Sequence, residues 1–262
     1  MTEKLEPDPG GDPVQASLQY PAVARDAIEQ VLSTQLDPIE TAARMIVDAY
    51  GQDGILQVFG TGHSRAVCLE LSGRAGGLAS VSMLAVKDLV MFGGTDPAQI
   101  LDPTYEREPG LARRIYDLAR PSPRDAFLIV SNSGINASVV EMAELARDRG
   151  HPLIAITSLR HTSSVDVRAG GRRLSELADV IIDNGAPAGD ATIDLRPGVR
   201  IGAISSLTGV LIAQLLTESV CRLLAASGAP VPVLVSANLP VGDSHNEPVV
   251  ARFAERVRPI EP

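Results

Sequence analysis

An α/β protein built on a doubly wound, five-stranded parallel sheet is what this sequence predicts, and two observations carry the expectation. Five short apolar runs, over residues 55–59, 79–86, 126–130, 153–157 and 178–182, recur along the chain. Each is followed by a Gly- or Ser-bearing loop and a stretch whose apolar residues repeat every three to four positions. Predominantly apolar runs of that length read as strands of a sheet covered on both faces, and their alternation with helices makes them parallel.

In chain order, residues 1–17 are rich in Pro, Gly and acids with almost nothing to bury, so they read as a disordered leader outside the fold. Residues 18–262 read as a single domain with extra N- and C-terminal helices. Between 20 and 51 the residues Val23, Ala27, Val31, Ile39, Ala42, Ala43, Ile46 and Val47 keep helical spacing, with Asp37-Pro38 as a break, which predicts two helices before the first strand. After the five strand-helix units, residues 201–226 predict a long apolar helix. Residues 230–247 read as loop with one short strand, and an Arg-containing helix closes the chain.

The chain has 262 residues, 45% of them hydrophobic and 21% charged, ordinary values for a globular α/β domain. Acids and Gly interrupt its apolar stretches before about 20 residues, and no basic-then-apolar segment opens it, so a cytoplasmic protein with no membrane partner is expected. Cys68 and Cys221 are the only cysteines, which suits a reducing compartment better than a disulfide framework. A net charge of −9 without Lys or Arg clusters argues against nucleic acid as partner. One phosphomonoester remains compatible, because backbone amides, hydroxyls and a helix N-terminus can hold it without a basic surface.

Ligands of such sheets sit beyond the carboxyl ends of the strands, which directs attention to the loops after Phe59, Val130 and Thr157. In the first, Gly60, Thr61, Gly62, His63 and Ser64 lead into a helix, with Ser64 at its N-cap. A dinucleotide fingerprint is the competing reading, with Asp88 as its acid. Arg65, however, stands where the third glycine belongs, and Asp88 comes late. In the second loop Ser131, Asn132, Ser133 and Gly134 leave a buried strand and a helix begins near Asn136, a run of small polar groups and amide donors that makes a phosphate cradle without lysine.

Taken together, Gly60-x-Gly62-x-Ser64 and Ser131-x-Ser133-Gly134 resemble the two signature turns of the SIS (sugar isomerase) domain family, over roughly residues 39–226. The resemblance implies a flavodoxin-like SIS fold with flanking dimerisation helices, hence a homodimer or higher homo-oligomer. It also implies that a small-molecule sugar phosphate is held by Ser131, Asn132, Ser133 and Asn136, with Ser64 near the sugar; Gly62, which lets the backbone approach closely, and His63, embedded in the same loop, are read as further substrate contacts. The chain looks most like standalone SIS proteins of about this length, whose tail carries an Asn-x-Pro-x-Gly-Asp-x-His-Asn-Glu phrase, here at 238–247.

Proton abstraction next to a sugar carbonyl needs a carboxylate base. Glu70, about 9 Å along the helix from Ser64 at 1.5 Å per residue, is the first candidate. Glu70-Leu71-Ser72-Gly73-Arg74 resembles the Glu-Leu-Thr-Gly-Arg of phosphoheptose isomerases, although Glu70 stands one turn nearer the glycine loop than their catalytic glutamate. The histidine those enzymes carry on the C-terminal helix has no counterpart in 201–226. Glu106, read as opening the helix after the second strand, sits where N-acetylmuramic acid 6-phosphate etherases, another SIS group, place a catalytic glutamate. Asp190 is a candidate for sugar hydroxyls and equally for an Asx turn. His245, read in a polar loop, could supply an acid to a neighbouring subunit's site, whereas His151 and His161 read as plain surface residues. No His or Cys spacing suggests a metal, and no cofactor is expected. The function expected is elimination at C3 of an amino-sugar 6-phosphate by a dehydratase or lyase, with Glu70 taking the C2 proton and Glu106 or His245 assisting. Aldose–ketose isomerisation and a non-catalytic phosphosugar sensor are the alternatives.

Overall fold

The computed structural model describes residues 18–102, 104–167 and 171–260, so the leader expected over 1–17 lies outside the described residues. Helices α1 (Tyr20–Thr34) and α2 (Leu36–Gly51) precede the sheet. They part at Gln35 rather than at Asp37-Pro38, because Pro38 falls in the first turn of α2, where an N–H would have no partner within the helix. The strands are β1 (Leu56–Gly60), β2 (Val81–Leu84), β3 (Ala126–Val130), β4 (Leu153–Thr157) and β5 (Val180–Asp183). All pair in parallel in the order β2-β1-β3-β4-β5, with Phe59 beside Leu84 and Ile129, and Val130 beside Gly60 and Ile156.

Between β1 and β2 lie a 3-10 turn (Gly62–Ser64) and α3 (Arg65–Leu71). The short helices α4 (Asp88–Met91) and α5 (Pro97–Ile100), a second 3-10 turn (Tyr105–Arg107) and α6 (Leu111–Ala119) lead to β3. Helix α7 (Ala137–Asp148) joins β3 to β4, and α8 (Leu159–Ser164) and α9 (Leu174–Leu177) join β4 to β5. Strand alternation divides the apolar side chains between two layers. Val58, Leu128, Val130, Ile154 and Ile156 pack with α2 and α3, and Phe59, Phe127, Ile129, Leu153 and Ala155 pack with α6, α7 and α9.

Past β5 the structure departs from expectation. An antiparallel hairpin, β6 (Ala191–Arg196) and β7 (Val199–Ala203), turns at Pro197-Gly198, so 201–203 are strand and the long helix α10 (Ser205–Ala226) starts later. At 22 residues α10 is long and apolar enough to cross a membrane by length and composition, contrary to the expectation that no stretch would be. One face of it packs into the core: Ile212, Ala213, Leu216, Val220 and Leu224 are buried with residues of α2 and α3. Helices α10 and α3 approach so closely that a Cβ on Gly209 would lie 2.5 Å from Val67.

The loop after α10 bridges from Val233 to Leu78 and then enters α11 (Gly242–Ala251), so His245 stands on a helix and not in a loop. Arg252, Arg256 and Arg258 follow that helix instead of lying in it. Arg256 pairs with the buried Asp125 at the amino end of β3, and Arg258 pairs with Asp88.

Candidate active site

The order of strands reverses at β1, and the crevice at the carboxyl ends of β1 and β3 is where the sheet opens. A cavity of about 240 Å³ occupies it. Gly62, His63, Ser64, Glu106, Ser131, Asn132, Ser133, Asn136 and Asp190 all lie on its wall, so residues up to 128 positions apart in sequence meet there. Glu70 and His245 do not line it.

Three helix starts converge on the cavity, those of α3, α7 and α10, and their terminal amides decide where an anion can sit. Asp190 has already answered α10. Its Oδ1 accepts from the amides of Ile204 (3.1 Å) and Ser205 (2.8 Å), and its Oδ2 accepts from the Ser205 hydroxyl at 2.7 Å. Both carboxylate oxygens are thus engaged in capping a helix, the structural one of the two readings the sequence left open for Asp190.

The start of α7 is open. Ser131 donates its amide to Ile156 and accepts the Gly134 amide on its hydroxyl at 3.1 Å. Among the described residues, the amides of Asn132, Ser133, Ile135 and Asn136 and the hydroxyl of Ser133 have no acceptor or donor. Gly134 makes the turn possible at φ +65°, and its flanks are pinned by Thr162, whose hydroxyl donates to Ser133 O at 2.8 Å, and by the Leu174 amide, which donates to Gly134 O at 2.9 Å. The Asn132 side-chain carbonyl accepts from Asn184 at 3.2 Å. A concave set of fixed N–H and O–H donors at a helix start has the chemistry to hold an anion such as a phosphoryl group.

Ser64 stands at the boundary of α3, and its hydroxyl makes no cap, so it too is available to a ligand. His63 is exposed in the 3-10 turn at the cavity mouth. Glu106 lies in the second 3-10 turn, one loop before α6, and does not open a helix as expected. Its Oε1 accepts from Asn136 Nδ2 at 3.4 Å. Glu70, at the far end of α3, is held by Arg74 and by Gln214 of α10. His245 Nε2 meets the carbonyl of Val233 at 3.0 Å.

Of the two histidines read as surface residues, one is buried and the other is half-buried at the cavity. His151 is buried, with Nδ1 donating to Asp125 O at 2.9 Å and Nε2 accepting from the Tyr116 hydroxyl at 2.7 Å, and burial holds its imidazole below its ordinary range. His161 lies on the cavity wall, as do Asn184, Ser205 and Ser206, none of which the sequence singled out. The signal for His161 was its place in the loop after Thr157. Asp88, the acid of the dinucleotide reading, is buried and spends its carboxylate on the Ala85 amide and Arg258. Burial pushes the Cys68 thiol up to about 12, which leaves it no nucleophile. Among the described residues no group of three or more His, Cys, Asp or Glu side chains comes together to hold a metal.

Fold and crevice define the class: a flavodoxin-like α/β protein with a polar, donor-rich ligand site where the strand order reverses. The chain belongs to the SIS domain family, whose model matches residues 19–158, and within it to the UPF0309 proteins. A UPF0309 protein of Listeria monocytogenes is 33% identical over 240 residues, 89% of this chain and 95% of that protein. One of Halalkalibacterium halodurans is 34% identical over 230 residues, 87% and 93% of the two chains, and one of Brucella anthropi is 35% identical over 222 residues, 84% and 88%. Among solved structures, a phosphoheptose isomerase from Francisella tularensis superposes with a TM-score of 0.50 at 17% identity, covering 78% of this chain and 95% of that one, which shows a common fold.

Proposed function

We propose that the protein is a cytoplasmic phosphosugar enzyme that acts on an amino-sugar 6-phosphate of the N-acetylglucosamine type, removing the C2 proton and eliminating the oxygen at C3. The observation that supports it is the pairing, in one cavity, of unpaired donors at residues 132–136 with the carboxylate of Glu106. The phosphate would sit on the donors. Glu106, tethered to Asn136, would then stand within the reach of a hexose chain. On the open-chain aldehyde Glu106 takes the C2 proton, the electrons pass to the carbonyl oxygen, and their return expels the C3 oxygen, which collects a proton.

Glu106 replaces Glu70 as base in this scheme, because Glu70 is held by Arg74 and Gln214 off the cavity wall. His245 enters only if a second chain brings it to the site. Lack of histidine on α10 favours elimination over carbonyl migration. The test is NMR in deuterated water over a panel of sugar phosphates. Deuterium at C2 with loss of the C3 oxygen supports the proposal. Exchange with migration of the carbonyl would make the protein an isomerase, and binding without exchange would make it a sensor.

A further inference from the structure

The loop after β4 brings a second functional group to the cavity. Ser158 caps α8 with a hydroxyl that accepts the His161 amide at 2.9 Å and donates to Ala186 O at 2.6 Å, so the backbone under His161 is fixed from both sides. The ring is fixed as well, since His161 Nδ1 lies 3.1 Å from the amide nitrogen of Gly189. An amide N–H only donates, so Nδ1 is the acceptor and the neutral ring carries its proton on Nε2. Gly189 belongs to a turn closed by Asp190 N and Pro187 O, and Asp190 is fastened to the start of α10. Nε2 is left as the ring's one polar atom without a partner among the described residues, on a residue that lines the cavity with Ser133 and Asn184.

We infer that His161 is a further catalytic residue, whose Nε2–H donates a hydrogen bond to the sugar's carbonyl oxygen and holds the charge that gathers there as the C2 proton leaves. The inference rests on the proposed function. The imidazole keeps its proton throughout: the C2–H pair moves onto the oxygen, Glu106 takes the proton, and the departing C3 oxygen recovers one from Glu106 or from water. A donor whose ring is held by the Gly189 amide, on a backbone held by Ser158, needs little rearrangement when the charge appears, which is where such groups lower barriers.

Two measurements decide it. The imidazole nitrogens of His161, followed by 15N NMR, should show the proton on Nε2, and a proton on Nδ1 would overturn the inference. His161→Ala should slow C2 deuterium exchange about 100-fold while sugar-phosphate affinity changes little, with His161→Gln recovering part of the rate because its amide can both accept from Gly189 and donate. Wild-type exchange with an equally fast His161→Ala variant would overturn this inference alone. Wild-type protein that exchanges no C2 proton on any sugar phosphate would overturn the proposed function, and this role with it.

Discussion

Asn136 donates its side-chain amide to Glu106 across 3.4 Å, so the residue that opens α7 also holds a carboxylate from the turn before α6. The link makes the phosphate seat and the proposed base one unit. Glu106→Gln should therefore cut C2 exchange by about 100-fold or more with phosphosugar affinity retained. Glu70→Gln should leave exchange near wild type and act on the packing of α3 against α10. Deuterium incorporation in both variants checks this, and the opposite ranking would return the base assignment to Glu70.

The turn at 131–134 separates binding from stability. Ser133→Ala removes a hydroxyl with no partner inside the protein, so it should leave unfolding unchanged and raise the Kd for a sugar phosphate about 5–10-fold. Gly134→Ala should instead cost about 1–2 kcal/mol in urea unfolding, because its φ of +65° is unfavourable for a side chain and the new Cβ would sit 3.2 Å from Thr162 Oγ1.

Asp190 is predicted to serve the fold first. Asp190→Ala frees two amides and a hydroxyl at the start of α10, which should cost about 1–2 kcal/mol and lower Tm by about 2–6 °C in a thermal scan.

His151 should give the protein a pH dependence. Its folded-state pKa lies below the unfolded value, so the unfolded chain binds the proton more readily and the contribution to stability is present above about pH 6.5. That contribution is lost as pH falls towards the folded value. Tm measured from pH 8 to pH 5 should decline less steeply in His151→Gln than in wild type.

The parts of the fold buried on both faces were readable from sequence. Strands β3 and β4 fall on the residues expected, because a central parallel strand covered on both faces is apolar at nearly every position. The hairpin β6–β7 escaped notice because it is largely exposed: Asp194 and Arg200 pair across it while Leu195 and Ile201 face solvent, which blurs any apolar run. Of the site, the two glycine- and serine-bearing turns were legible because backbone chemistry is local. The contact of Glu70 with Gln214 was not legible because the two lie 144 residues apart, and His151 was misjudged because Tyr116 lies 35 residues away. Such partnerships are set by helix packing and leave no spacing to read.

The most direct measurement follows the backbone amides of residues 132–138 by 15N–1H NMR during titration with N-acetylglucosamine 6-phosphate and, separately, with N-acetylglucosamine. The account predicts large shifts at Asn132, Ser133, Ile135 and Asn136 with the phosphorylated sugar and none of that size with the unphosphorylated one. Equal responses to both sugars, or shifts confined to another part of the protein, would contradict it.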